Sequence, residues 1–183
     1  MKFYISDLHF GHKNIMSYDN RPFFDVDEMN ETLIANWNSV VSKGDEVYVL
    51  GDMFWKNEGA ADILARLNGR KYLVLGNHDR LNADMNKHFE WVKEYAEIKD
   101  GDNHIILCHY PIPFFKNHTR DGYYHFYGHV HSSFEYNMAE HIRVEIERLY
   151  QLPCRMFNVG AMMPYINYTP RTFTEITTVN AEE

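Results

Sequence analysis

Apolar residues in this chain gather into short runs that end abruptly in polar ones, and between the runs they recur at helical spacing. Lys2 to Ser6 (KFYIS), Glu46 to Leu50 (EVYVL) and Lys71 to Leu75 (KYLVL) each read as a short buried strand bounded by turn residues. Between the first two, Met29, Leu33, Trp37 and Val40 fall on one apolar face, which predicts a helix over about Val26 to Val41. Asp25 followed by Glu28 gives that helix a start signal of capping-box type, with Asp in the cap position. Glu58 to Leu67 predicts a second helix, with Ala61, Leu64 and Ala65 inward and Asn68-Gly69 as its stop. Strand, helix, strand, helix, strand at these lengths indicates parallel βαβ units.

Beyond residue 93 the pattern changes. Tyr95 to Lys99 and His104 to Cys108 flank Asp100-Gly101-Asp102-Asn103, a hairpin sequence. Tyr124 to Tyr127, Arg155 to Val159 and Thr172 to Ile176 read as further strands, and Ala139 to Leu149 as a helix. The fold class expected is α/β, with a mixed sheet folded into two layers. No repeat, low-complexity tract or linker divides the chain, so residues 1–183 are expected to form a single domain.

Composition narrows the function classes. The 183 residues are 45% hydrophobic and 24% charged, enough apolar material for one sizeable core. No apolar run approaches the roughly 20 residues that span a bilayer. The start MKFYISDLHF lacks the features of a secretory signal. Cys108 and Cys154 are too few for a disulfide framework; a cytoplasmic, reducing setting is expected. By alternation along its strand, Cys108 should pack into the core. The net charge of -8 argues against strong non-specific binding to nucleic acid or anionic membrane. It does not exclude an enzyme acting on a phosphate ester, because bound divalent metals invert the local field. No obligate protein partner is evident. The 11 histidines, several beside Asp, Asn or Gly, direct attention to metal chemistry.

The placement of those polar residues is the informative feature. Five predicted strands each run into side chains able to bind a cation: Asp7 and His9, then Asp52, Asn77, His109, and finally His129 with His131. In open α/β sheets, ligands bind beyond the carboxyl ends of the strands, where side chains from separate strands can converge. Gly51, Gly76 and Gly128 stand immediately before Asp52, Asn77 and His129, where the absence of a Cβ permits tight turns and close approach. Singly, Asp-x-His or Gly-Asp is an ordinary turn sequence, and a lone His109 would be an ordinary core histidine. Their joint order is what carries the reading.

The series Asp7-x-His9, Gly51-Asp52, Gly76-Asn77-His78-Asp79, His109 and Gly128-His129-Val130-His131 resembles the calcineurin-like metallophosphoesterase superfamily, in the family's order. The stretch DLHFGHKNI and the late FNVG segment resemble its small, cap-less bacterial and phage-type members. The resemblance implies a two-layer mixed β-sandwich flanked by helices, with metals at one edge. It implies that Asp7, His9 and His131 hold one metal, Asn77, His109 and His129 the second, and that Asp52 bridges them. Mixed nitrogen and oxygen ligation without thiolate suits two divalent transition metal ions, Mn, Fe, Zn, Co or Ni.

The implied function is hydrolysis of phosphate esters by a hydroxide shared between the metals; diesters are favoured over monoesters because the motifs lack a dense cluster of Lys and Arg for a dianionic monoester. His78 is the candidate acid for the leaving group, and Asp79 is expected to fix its tautomer. His12, Arg21 and Arg120 are candidate substrate contacts, with Asn14 and His125 behind them, each weighed against a structural role. The FNVGAMMPY segment is expected to form the strand and turn behind the site. Two departures from the family pattern stand out: Asp52 is followed by MFWKNE, and Asp79 stands where many members have Glu. The competing readings are a metal-dependent nuclease and a non-catalytic metal-binding scaffold.

Overall fold

The computed structural model describes residues 1–178. In chain order the elements are β1 (Lys2–Ile5), α1 (Ile15–Tyr18), α2 (Val26–Val40), β2 (Glu46–Val49), α3 (Ala60–Arg66), β3 (Arg70–Val74), α4 (Ala83–Asn86) and β4 (Phe89–Lys93). They continue with β5 (Tyr95–Asp100), β6 (Asn103–Cys108), β7 (Tyr123–Tyr127), α5 (Phe134–Tyr150), β8 (Met156–Asn158), β9 (Arg171–Thr172) and α6 (Phe173–Thr177). The strands form two sheets, ordered β4-β3-β2-β1-β9 and β5-β6-β7-β8. Within the first, β1 to β4 are mutually parallel and only the short edge strand β9 runs against them. In the second, β5 and β6 form the expected antiparallel hairpin, while β6, β7 and β8 are parallel. The expected two-layer α/β architecture with helical flanks is what the chain adopts.

Cross-strand aromatic pairing explains how the layers meet. Tyr4, Tyr48, Tyr72 and Trp91 are register partners across β1 to β4, with successive ring centroids 5.6, 4.7 and 5.3 Å apart. Tyr4 then meets Phe126 of β7 edge-on at 4.9 Å, and its hydroxyl donates to Asp100 Oδ2 at 2.9 Å. Helix α2 buries Met29, Leu33, Ile34 and Trp37, and Asp25 caps it by accepting from Glu28 N at 2.8 Å.

Several expectations are corrected. Helix α3 starts at Ala60 and buries Ala60 and Leu64, with Leu67 buried at its C-cap, while Ala61 is half-buried and Ala65 exposed. Residues Thr172 to Ile176 are mostly helix, because Thr172 and Glu175 form a capping box that outweighs the β-branched composition. Helix α5 begins at Phe134, earlier than predicted, with Ser133 accepting from Glu135 N at 3.1 Å. Strand β4 was not foreseen. Cys108 is only half-buried. His125 lies fully buried: Nδ1–H donates to Ile106 O at 3.1 Å and Nε2 accepts from Ile112 N at 3.0 Å.

Both sheets deliver strand ends to one edge, and main-chain hydrogen bonds lock the loops there. Ser6 N donates to Val159 O at 2.8 Å and Ala161 N to Ser6 O at 2.8 Å, tying β1 to the segment after β8. Asp7 N donates to Gly51 O, His9 N to Asp52 O, and Gly128 N to His109 O. The backbone pays for this convergence in conformation: Asp7, His9, Asp52, His129 and His131 all adopt left-handed φ, between 48° and 70°. Such residues cost of order 1–3 kcal/mol each and persist only where surrounding contacts enforce them. The glycines mark the closest approaches. A Cβ on Gly51 would lie 2.8 Å from Gly76 Cα, and one on Gly76 would lie 2.5 Å from Asp52 N.

Gly76→Ala is therefore expected to destabilise the fold by about 1–3 kcal/mol, since backbone rather than a mobile side chain must yield. Denaturant unfolding measures it, and an unchanged midpoint would mean that these loops are not tightly packed. Burial lowers the His125 pKa to about 4 from an ordinary 6.5. Stability should therefore fall as pH drops below 6.5, where the unfolded imidazole takes up a proton that the folded one refuses, until about pH 4. This group accounts for on the order of 3 kcal/mol across that window. In His125→Asn, urea unfolding followed over the same window should show a flatter pH dependence than the parent.

Candidate metal centre

Side chains from the ends of β1, β2, β3, β6 and β7 meet in one place. Two groups among the described residues have ligand atoms all within 4.8 Å of one another: Asp7, His9 and His131, and Asp7, Asp52 and His109. His9 Nε2 and His131 Nε2 face each other at 3.3 Å, with Asp7 Oδ1 3.5 Å from the latter. Asp52 Oδ2 lies 3.8 Å from His9 Nε2 and 3.6 Å from His109 Nε2. Asn77 Oδ1 is 3.0 Å from His109 Nε2 and 2.9 Å from His129 Nδ1. These distances link all seven side chains singled out from the sequence into one cluster. Asp7 is common to both groups, and Asp52 also stands between their histidines, so either carboxylate can reach both positions.

The donor set fits divalent cations on chemical grounds. Two imidazole nitrogens turned toward each other beside two carboxylates place lone pairs and negative charge around a common point. His109 Nδ1–H donates to Leu50 O at 2.7 Å, and His131 Nδ1–H to Asp19 Oδ1 at 2.7 Å. Such bonds orient an imidazole and leave its Nε2 free to ligate. His9 Nδ1 is buried with no hydrogen-bond partner among the described residues.

The two buried acids and the surrounding imidazoles shift one another's pKa values. Burial raises the Asp7 pKa, against the pull of His131 and His109. For Asp52, burial is outweighed by His109 and by the His78 backbone N–H, and its pKa falls to about 2. Burial disfavours the His109 cation, yet Asp52 and Asp7 raise its pKa to about 9. His131 is raised likewise, Asp19 and Asp7 prevailing over burial. His9 is lowered to about 2 by burial and by the neighbouring His131 and Arg21, and His129 is lowered by burial and by His109. Neutral imidazole is the ligating form, so the affinity of a cation held here would fall as pH drops.

Several side chains lie elsewhere than their expected roles require. Arg21 is buried and committed: Nε and Nη2 donate to Asp19 Oδ2 at 3.0 and 2.9 Å, Nη1 to Leu8 O at 2.9 Å, and Nη2 to Asp7 O at 2.8 Å. It braces the ligand loop and offers no fork to a substrate. Arg120 is exposed and does not line the cleft. Asp79 accepts from Asp52 N, Met53 N and Gly76 N at 2.8, 3.0 and 2.8 Å, so its carboxylate clamps two ligand loops instead of orienting His78. The shorter Asp suits this role, because the loops lie within its reach. His78 sits at the rim, its side chain 41% exposed and Nε2 4.0 Å from Asp52 Oδ2. His12 lines the cleft, stacked on Trp55 at 3.8 Å. The FNVGAMMPY segment does back the site: Asn158, the last residue of β8, donates through Nδ2 to His131 O at 2.8 Å.

Sequence reasoning missed Asp19. No motif flags it, and only the fold brings it to His131. It also missed Trp55 and Tyr18, whose aromatic character beside ligand motifs was the available signal.

Comparison with known proteins agrees with this picture. Residues 1–181 match the calcineurin-like phosphoesterase superfamily domain. An uncharacterised protein of Methanocaldococcus jannaschii is 52% identical over 79 residues, which cover 42% of this chain and 45% of that protein, so the match spans under half of the relative's length. The Gene 66 protein of Mycobacterium phage L5 is 34% identical over 161 residues, covering 70% of this chain and 76% of the phage protein. A solved structure from Aquifex aeolicus, of a protein of unknown function, superposes with a TM-score of 0.65 over 98% of both chains at 23% identity, a likeness of fold. With the family domain matched over nearly the whole length and the phage relative over most of it, this chain belongs to the calcineurin-like phosphoesterase superfamily.

Proposed function

We propose that the chain is a metal-dependent phosphoric ester hydrolase with a two-cation site. The observation that carries the reading is the convergence of Asp7, His9, Asp52, Asn77, His109, His129 and His131 within a few ångströms at one sheet edge. Asp7, His9 and His131 would hold one cation and Asn77, His109 and His129 the other, with Asp52 shared. Bound there, Mn, Fe, Zn, Co or Ni would supply Lewis acidity to the phosphoryl oxygens and acidity to a water.

The chain's own residues supply position and protons. Asp79 and Arg21 hold the ligand loops in register, and Asp19 orients His131. His78 is anchored by its backbone N–H on Asp52 Oδ1 at 2.9 Å, and its exposed ring can place a proton on the leaving oxygen. A preference for diesters is supported by the cleft lining, which contains histidines and one carboxylate but no lysine or arginine to meet a dianionic monoester. The net charge of -8 and the absence of basic lining oppose a nuclease acting on long nucleic acid. The complete ligand constellation favours catalysis over a non-catalytic scaffold. A cytoplasmic setting accords with the free thiols of Cys108 and Cys154, and no helix among the described residues is long and apolar enough to cross a membrane.

The direct test strips the protein with a chelator, restores each metal in turn and follows bis(4-nitrophenyl) phosphate and 4-nitrophenyl phosphate. Metal-dependent release with the diester ahead is expected, and silence with every metal sinks the hydrolase reading. His78→Ala should lower kcat by about 10²–10⁴-fold while metal content, measured by elemental analysis, stays intact. Asp19→Asn should weaken metal affinity by about 10–100-fold, read by competition with a chromophoric chelator. Equal affinities would relieve Asp19 of that orienting role.

A further inference from the structure

Above the ligand groups the cleft opens into a cavity of about 430 Å³, within the range of small-molecule sites. One of its walls is a row of rings. His12 and Trp55 stack face to face, centroids 3.8 Å apart and planes within 4°. Tyr18 stands edge-on to His12 at 6.3 Å, and His78 leans on Trp55 at 4.8 Å. Packing accounts for His12, which is buried, but leaves Tyr18 72% and Trp55 40% exposed at the mouth of the site. Tyr18 ends α1, the first helix after the Asp7–His9 turn, and Trp55 follows closely on Asp52. The wall therefore rides on the same loops that deliver the ligand side chains. Asn14, from the start of α1, brings to this cleft a carboxamide that makes no helix-capping bond.

We propose that this wall is a subsite for a planar heteroaromatic group of nucleobase class, making the substrate a nucleoside-bearing phosphate diester of mononucleotide size. The inference rests on the hydrolase reading above and specifies its substrate class. Every nucleobase has a π-face, and stacking on aromatic side chains contributes affinity without needing a fixed cation. The Asn14 amide can donate and accept along a base edge, which gives the subsite a polar element beside its rings. A monoanionic diester tolerates a cleft without lysine or arginine, and the chain's acidity disfavours a polymer in the same place.

The test compares adenosine 5′-(methyl phosphate) with ribose 5-(methyl phosphate), which share the reacting bonds and differ only in the base. With the metal-loaded protein, kcat/KM followed by phosphorus NMR should favour the adenosine compound by about tenfold, a difference of about 1.4 kcal/mol. Trp55→Ala and Tyr18→Ala should bring that ratio toward one, and Trp55→Phe should retain most of it. Hydrolysis of both diesters at equal kcat/KM overturns the subsite and leaves the hydrolase reading standing. Binding to the metal-free protein, followed by saturation-transfer NMR on the base protons, gives an answer independent of turnover. Should neither diester be hydrolysed with any metal, the hydrolase reading fails. Base contact that disappears in Trp55→Ala then still upholds the aromatic subsite, and its absence removes that too.

Discussion

Asp7 and Asp52 are buried side by side at the edge where the two sheets meet, and an interior does not tolerate paired carboxylates without compensation. Everything nearby supplies it. Asp7 accepts the His129 backbone N–H at 3.1 and 3.2 Å, and Asp52 accepts that of His78 at 2.9 Å. Imidazoles from β6, β7 and the first loop face both acids, and the neighbouring carboxylates raise the pKa values of His109 and His131. Divalent cations would answer the same electrostatic demand more fully, which links the burial of these acids to the proposed chemistry.

Holding those acids in place consumes much of the surrounding structure. Asp79 and Arg21 could both be read as reactive groups, yet each is spent on backbone: Asp79 on three N–H donors, Arg21 on two carbonyls and Asp19. Their charges serve geometry. With Asp79 turned away, the ring that touches His78 most closely in the aromatic wall is Trp55. The left-handed backbone at five ligand positions has the same origin, since chains leaving parallel strands must turn sharply to aim short side chains at one point.

The two sheets divide the work. The first presents candidate ligands from parallel strands β1, β2 and β3, an arrangement that puts successive carboxyl ends on one side by construction. The second adds histidines from β6 and β7, also parallel. Ser6 fastens the two at the level of the site: its N–H donates to Val159 O, its carbonyl accepts from Ala161 N, and its hydroxyl donates to Leu50 O. This join between the layers lies beside the candidate ligands, where relative movement of the sheets would pull the two halves of the site apart.

Much of this was legible in the sequence. Strands β1, β2 and β3 and helix α2 announced themselves because apolar periodicity and capping are local properties of a few consecutive residues. The clustering of the candidate ligands was legible because motifs at strand ends inherit convergence from parallel topology. Partnerships between residues far apart along the chain were not. Asp19 meets His131 across more than a hundred positions, and no pattern in either neighbourhood records the pairing. Whether Arg21 faces a substrate or a carbonyl, and whether Asp79 reaches His78 or the next loop, depends on which chains pack within 3 Å. Local sequence specifies what each segment prefers to be. The assembled fold, by choosing each charge's neighbours, decides what those charges do.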